Sequence, residues 1–335
     1  MRDIIPTLRQ WQRQGKRYAL ATLIKVDRSA PKPPGAAMAL CEDGTVAGSV
    51  SGGCVESALH EQAAQVIDSG VPRTVSYGLS DPEGWDVGLA CGGQLHLFVD
   101  RPALPGSFLD DVEANRPVAL ATKVSGDGAG RRTVVRPDDQ SLAADLVGAD
   151  AQILLARRAS ELRSYPEGEF FIQTFVPPPA MYVFGAADFS AAMARMGKFL
   201  GYRVTVVDPR QVFATRERFP QADEVVVDWP DRFLEKAAID AGTAVIVMTH
   251  DPKFDIPALA YAVTTDAGYI GAMGAKRTNE ERFRMLREAG CTADQLARIH
   301  APIGLDIGGK SPEETAVSVA AQIIALRGGK TGRML

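Results

Sequence analysis

Apolar residues in the second half of the chain fall into short runs separated by stretches of helical spacing. MYVF (181–184) reads as a buried strand, and Phe189, Ala192, Met193, Met196, Phe199 and Leu200 then recur on one helix face. RVTVV (203–207), EVVV (224–227), TAVIVM (243–248) and YIGAM (269–273) are further apolar runs, with helical patterns at 231–240, 255–265 and 279–289 between them. Strands alternating with helices at this pace predict a parallel, doubly wound α/β sheet, because parallel neighbours need a long crossover. A last helix, SPEETAVSVAAQIIALR, is announced by Ser311 as N-cap, Pro312 at the first helical position and Glu314 at the third.

The first half has a different texture. YALATLIKV (18–26), GAAMAL (35–40), GTVAGSV (44–50), GQLHLFVD (93–100), PVALATKV (117–124) and RRTVVRP (131–137) read as strands between turns. CVESALHEQAAQVIDSG (54–70) reads as a helix with Cys54 in its first turn. This mixture predicts an α+β domain. Between EFFIQTFV and MYVFG stand three prolines, which offer no backbone donors and stay extended. The expected organisation is therefore an N-terminal domain over 1–176, a proline linker at 177–179 and a second domain over 180–335.

Composition narrows the class. With 335 residues, 46% hydrophobic and 23% charged, the chain is long enough for two cores. A net charge of −4 gives no electrostatic reason to expect nucleic acid or an anionic membrane as partner. The opening MRDIIPTLRQWQRQGKRY lacks the apolar centre of a signal peptide, and no apolar run is long enough to cross a bilayer. Four cysteines, Cys41, Cys54, Cys91 and Cys291, do not make a disulfide scaffold. The expectation is a cytoplasmic protein with reduced thiols.

The candidate chemistry begins at GSVSGGCVES (48–57). Ser51 is expected to cap a helix starting near Gly53. The N–H groups around Ser51, Gly52 and Gly53 then form a concave surface suited to an anion. A Cys54 thiol in that first turn would feel the positive end of the helix dipole and gain thiolate character. The plainer alternative is a small residue packed in a tight turn. Cys91, in ACGGQLHLFVD, is a second glycine-flanked cysteine. Zinc would draw on Cys41, Cys54, Cys91 and His96, but no close CxxC or HxxxH pair is present.

In the second half, VFGAADFS stands where a strand gives way to a helix, the place of a GxGxxG fingerprint. Gly185, Ala187 and Ser190 occupy its glycine positions, so only the first glycine remains, and Asp188 adds negative charge where phosphates would lie. Asp208 ends the second strand, where a ribose-binding carboxylate is expected. An NAD(P)-dependent oxidoreductase is the alternative function these residues suggest. THDPKFD brings His250 and Asp251 to the next strand end, and GAMGAKRTNEE brings Lys276 and Arg277 into a helix start. Both segments suit anion binding at the carboxyl edge of the sheet, and the Gly- and Pro-rich HAPIGLDIGGKSPEE (300–314) is long enough to fold over it.

Taken together, GSVSGGCVE, ACGGQLHLFV, the proline joint before YVFGAA, VTVVDPR, THDPKFD, YIGAMGAKRT and IHAPIGLDIGGKSPEETAVSV resemble the XdhC/CoxI family over nearly the whole chain. These are accessory factors of xanthine dehydrogenase and carbon monoxide dehydrogenase. The resemblance implies a cysteine-bearing N-terminal domain followed by a Rossmann-like domain. It implies a non-catalytic chaperone that binds molybdenum cofactor, as molybdopterin or its dinucleotide form. It also implies sulfuration with a cysteine desulfurase and insertion into the apo-enzyme of a molybdenum hydroxylase. The family cysteines fall on Cys54 and Cys91, candidate contacts to the molybdenum side, with Cys54 the candidate sulfur relay. Ser51, Gly52, Gly53, Gly185, Asp208, His250, Lys276 and Arg277 are the expected cofactor-binding companions. Family members often read GAGHVA where this chain reads GAADFS, so Ala187 and Asp188 replace a glycine and a histidine. A homodimer is expected as the commonest assembly.

Overall fold

The computed structural model describes residues 1–53, 55–78, 93–142 and 145–333. The chain divides into two compact units, Met1–Pro177 and Pro178–Leu335.

The first unit opens with α1 (Ile5–Arg13), whose Ile5, Leu8 and Trp11 are buried. Then follow β1 (Tyr18–Asp27), β2 (Ala37–Cys41), β3 (Val46–Gly48), α2 (Glu56–Ser69), β4 (Arg73–Tyr77) and β5 (Gln94–Asp100). The five strands form one antiparallel sheet in the order β3-β2-β1-β5-β4. Helix α2 turns Leu59, Ala63, Val66 and Ile67 onto one face of it, against Ala19, Ala21, Leu23, Leu95, Leu97 and Val99. That i, i+4, i+7, i+8 spacing is why this stretch is a helix. Gly70 ends it in the left-handed conformation.

Next come α3 (Gly106–Glu113), β6 (Val118–Lys123), β7 (Arg132–Val135), α4 (Leu146–Arg157), β8 (Glu161–Tyr165) and β9 (Gly168–Phe175). These strands make a second antiparallel sheet, ordered β7-β6-β9-β8. Ile24 and Phe98 of the first sheet pack with Phe171 of the second. Beside them Arg132 and Asp100 form a buried ion pair between the sheets at 2.7 Å.

The second unit runs β10 (Ala180–Phe184), α5 (Asp188–Phe199), β11 (Arg203–Val207), β12 (Glu224–Val226), α6 (Pro230–Lys236), β13 (Ala244–Val247), α7 (Pro252–Ala262), β14 (Tyr269–Ala272), α8 (Lys276–Glu288), α9 (Ala293–Ala297), β15 (Ile299–His300) and α10 (Pro312–Arg327). All six strands are parallel, in the order β12-β11-β10-β13-β14-β15. Within the unit that is 3-2-1-4-5-6, the doubly wound Rossmann order, with its switch point between β10 and β13. One face of the sheet packs on α5 and α10, the other on α6, α7 and α8. Burial on both faces explains the uninterrupted apolar runs. The capping box of Ser311 and Glu314 is formed. The 300–314 segment is tied down at its start: Ile303 N–H donates to Ala272 O, and Gly304 N–H to Gln322 Oε1 on α10.

Candidate functional site

The glycine-rich turn after β3 is organised by the carboxylate of Glu56. Oε1 accepts from Ser49 Oγ (2.7 Å) and from the N–H groups of Val50 (3.2 Å), Ser51 (3.0 Å) and Gly52 (3.1 Å). Oε2 accepts from Ser51 Oγ (2.5 Å) and from the N–H groups of Gly53 (2.9 Å) and Val55 (3.2 Å). Gly52 and Gly53 reach this shape at φ 84° and 122°, in the region that favours glycine. Burial pushes the Glu56 pKa up, but the hydrogen bonds, led by those of Ser51 and Ser49, outweigh it and hold the carboxyl well below its usual range.

This differs in two ways from the sequence reading. Helix α2 starts at Glu56 with Val55 as N-cap, and Ser51 Oγ accepts the Val55 N–H instead of capping a helix at Gly53. The concave donor surface is present, but the anion in it belongs to the chain itself. The N–H groups expected to receive a foreign anion are engaged because a carboxylate three residues past Gly53 can fold back onto them. Cys54 and Cys91 lie outside the described residues. Of the other zinc donors considered, Cys41 is buried on β2, while His96 hydrogen-bonds Ser76 Oγ through Nδ1 and Asp27 Oδ2 through Nε2, both at 2.8 Å. Among the described residues no three His, Cys, Asp or Glu side chains are grouped to hold a metal.

In the second unit the turn after β10 is held against β13. Gly185 has φ 102°, donates its N–H to Val207 O at 2.9 Å, and has no room for a side chain. A Cβ there would stand 2.6 Å from Thr249 Cγ2. Asp208 is fully buried and both its oxygens are engaged. Oδ2 accepts Ala186 N–H and Arg210 Nη2, each at 2.7 Å; Oδ1 accepts Arg210 N–H at 2.8 Å and Nε at 2.9 Å. Burial raises its pKa, but the Arg210 guanidinium more than compensates and keeps it low. Asp208 thus ties the first turn to β11 and fixes Arg210 through internal bonds, at the strand end where a ribose-type role was expected of it. Asp188, the first residue of α5, is 91% exposed and 3.9 Å from Arg218.

A cavity of about 360 Å³ opens at this switch point, bordered by Gly185, Ala187, Arg210, His250 and Phe254. A second of about 210 Å³ lies between α7 and α8, and His250 borders it too, with Arg277 and Thr278. Its floor is the buried Asp255–Arg282 pair at 2.6 Å, with Thr249 donating to Asp255 and Arg282 to Asn279. Gly185 and His250 are thus brought together, with Asp208 behind Arg210; Arg277 joins His250 at the adjoining cavity, and Lys276 is exposed at the start of α8. Glu56, Arg210, Asp255 and Arg282 were missed in the sequence. The one visible signal was an arginine two positions past the strand-end Asp208.

Comparison with known proteins bears on the whole chain. Residues 181–323 match the model of the XdhC Rossmann domain, and residues 11–78 match that of the XdhC and CoxI family. The molybdenum cofactor insertion chaperone PaoD of Escherichia coli (strain K12) is 30% identical over 316 residues, 93% of this chain and 84% of that protein. A probable xanthine dehydrogenase subunit from Bacillus subtilis (strain 168) is 26% identical over 92% of both chains. The crystal structure of a xanthine dehydrogenase from Bacillus halodurans superposes with a TM-score of 0.68 at 27% identity, covering 98% of this chain and 96% of that one. Matches of this length, over a cysteine-bearing first half and a six-stranded parallel second half, show that the chain belongs to the XdhC and CoxI family.

Proposed function

We propose that this chain is a maturation factor that carries molybdenum cofactor as cargo and assists its sulfuration and insertion into a xanthine dehydrogenase or carbon monoxide dehydrogenase type molybdenum hydroxylase. The observation that carries the reading is the 30% identity to an insertion chaperone over 93% of the chain. The reading takes the protein as a cytoplasmic, homodimeric, non-catalytic carrier.

The cargo has an anionic tail, a pterin and a soft molybdenum–sulfur end, in mononucleotide or dinucleotide form. The arginines bordering the two cavities of the second unit fit the tail. In this reading Arg210, His250 and Arg277 contact it, with Lys276 at the rim; Gly185 and Asp208 hold the turn and Arg210 in place. The turn of Ser51, Gly52 and Gly53 does not fit a phosphate while Glu56 fills it. Its role here is to shape the chain leading into Cys54. Cys54 with Cys91 serves the molybdenum side, where thiolates suit a soft metal, and Cys54 relays sulfur from a cysteine desulfurase.

To test this, the chain is incubated with a cofactor-loaded extract, repurified, and assayed for molybdenum and oxidised pterin. It is then mixed with apo-hydroxylase. Stoichiometric metal and pterin with activation of the hydroxylase is the expected result, and background metal would refute the carrier role. A Cys54→Ser, Cys91→Ser double variant that still matured the hydroxylase fully would refute the thiol role alone.

A further inference from the structure

Two half-exposed aromatic rings stand at the carboxyl edge of the parallel sheet, beside the switch-point cavity. Val212 and Phe213 follow β11, Val227 and Trp229 follow its parallel neighbour β12, and all four are exposed, Phe213 at 41% and Trp229 at 39%. Exposed apolar surface following two neighbouring strand ends is a feature that ligands or partners cover. Each ring carries a cation. The Arg210 guanidinium lies 4.7 Å and that of Arg218 5.6 Å from the Phe213 centroid, and Arg232 lies 6.0 Å from that of Trp229. Both rings reach the cavity through one residue. Arg210 borders it directly, and the Trp229 ring meets edge-on, at 5.1 Å, the Phe254 ring that borders it from α7.

We infer that Phe213 and Trp229 form a stacking platform for the planar heteroaromatic ring of a phosphorylated ligand, a nucleotide base or a pterin. The identity of the ligand rests on the carrier reading above; the site rests on this geometry. Aromatic faces take any such ring, and the flanking arginines draw the phosphate attached to it. Sugar hydroxyls contribute little, because the carboxylate that would hold a ribose is already spent on Ala186 and Arg210. Recognition is therefore by ring and charge.

Calorimetric titration of the full chain with cytidine 5′-monophosphate, guanosine 5′-monophosphate and neopterin monophosphate tests the platform, with ribose 5-phosphate and inorganic phosphate as ringless controls. Stacking makes a ring-bearing ligand roughly 5- to 150-fold tighter than ribose 5-phosphate. Phe213→Leu and Trp229→Leu lie at half-exposed positions and should keep the parent's circular dichroism; each should weaken the ring-bearing ligands about tenfold and leave ribose 5-phosphate unchanged. Equal affinity with and without the ring, or unchanged affinity in both variants, overturns the platform. If both variants keep ring binding but lose activation of the apo-hydroxylase, the face docks protein, and the platform is overturned. Molybdenum uptake without binding of any of the three ring-bearing ligands refutes the platform and spares the carrier; ring binding without molybdenum uptake does the reverse.

Discussion

The carboxylate of Glu56 accepts the backbone N–H of Gly53 at 2.9 Å, folding back over the turn that leads into its own helix. Six further donors share that carboxylate. Glu56→Ala removes their shared acceptor, leaving Val55 N–H its bond to Ser51 Oγ and Gly52 N–H its bond to Ser49 Oγ, and should cost about 2–4 kcal/mol. The first unfolding transition should fall by roughly 5–15 °C. Millimolar formate or acetate should restore part of that loss in the variant and none in the parent. A variant melting with the parent would show that the turn holds its shape without this anion.

Gly185 is a backbone requirement. At φ 102°, with Thr249 Cγ2 placed 2.6 Å from any Cβ, alanine combines strain with a clash. Gly185→Ala should destabilise the protein by about 2–3 kcal/mol and push the turn away from β13. On the carrier reading proposed above, loss of retained cofactor should accompany the drop in melting temperature. Unchanged stability would mean that β13 yields at little cost.

How much of this was legible in the sequence depends on what each residue faces. The parallel strands were legible because MYVF, RVTVV and TAVIVM are buried on both faces and so read as apolar runs. β4 (RTVSY) and β8 (ELRSY) are half-buried edge strands carrying charge; the alternation of β4 spans only Thr74 to Tyr77, and β8 has none. Ser51, Gly52 and Gly53 could be read as donors, because their N–H groups and the two glycines' freedom at positive φ are local properties. Their acceptor could not: Glu56 looks like an ordinary first-turn acid until the chain folds back. Asp208 illustrates the same limit. Its place at a strand end and the arginine two positions on were visible, but the capture of its carboxylate by Arg210 is a side-chain geometry that this spacing alone does not fix.

Asp208 supports a third expectation. Buried and bonded through both oxygens, it leaves Arg210 and the Ala186 amide without their acceptor when changed to leucine. The loss of one partner of a hydrogen-bonded, buried charge costs about 3–5 kcal/mol. Asp208→Leu should therefore unfold in the second unit at markedly lower urea. Because the carboxylate is spent inside the protein, any nucleotide bound at this edge should be held as tightly in its 2′-deoxy form as in its ribo form. A tenfold preference for the 2′-hydroxyl, measured by calorimetry, would show that Asp208 turns outward on binding.

His300 supplies a pH dependence near neutrality. Its ring lies parallel to that of Tyr269, with centroids 5.3 Å apart and 9° between planes, and burial lowers its pKa below the usual 6.5. The unfolded chain therefore takes up the proton first as pH falls. The stability this neutral ring contributes is complete above about pH 6.5 and is lost between there and the lower folded value. One such group bends the curve by at most about 1.4 kcal/mol per pH unit. Urea midpoints between pH 5 and 8 should decline toward acid for the parent, and His300→Gln should flatten the decline across that window. An equal slope in both proteins would assign the acid sensitivity to other groups.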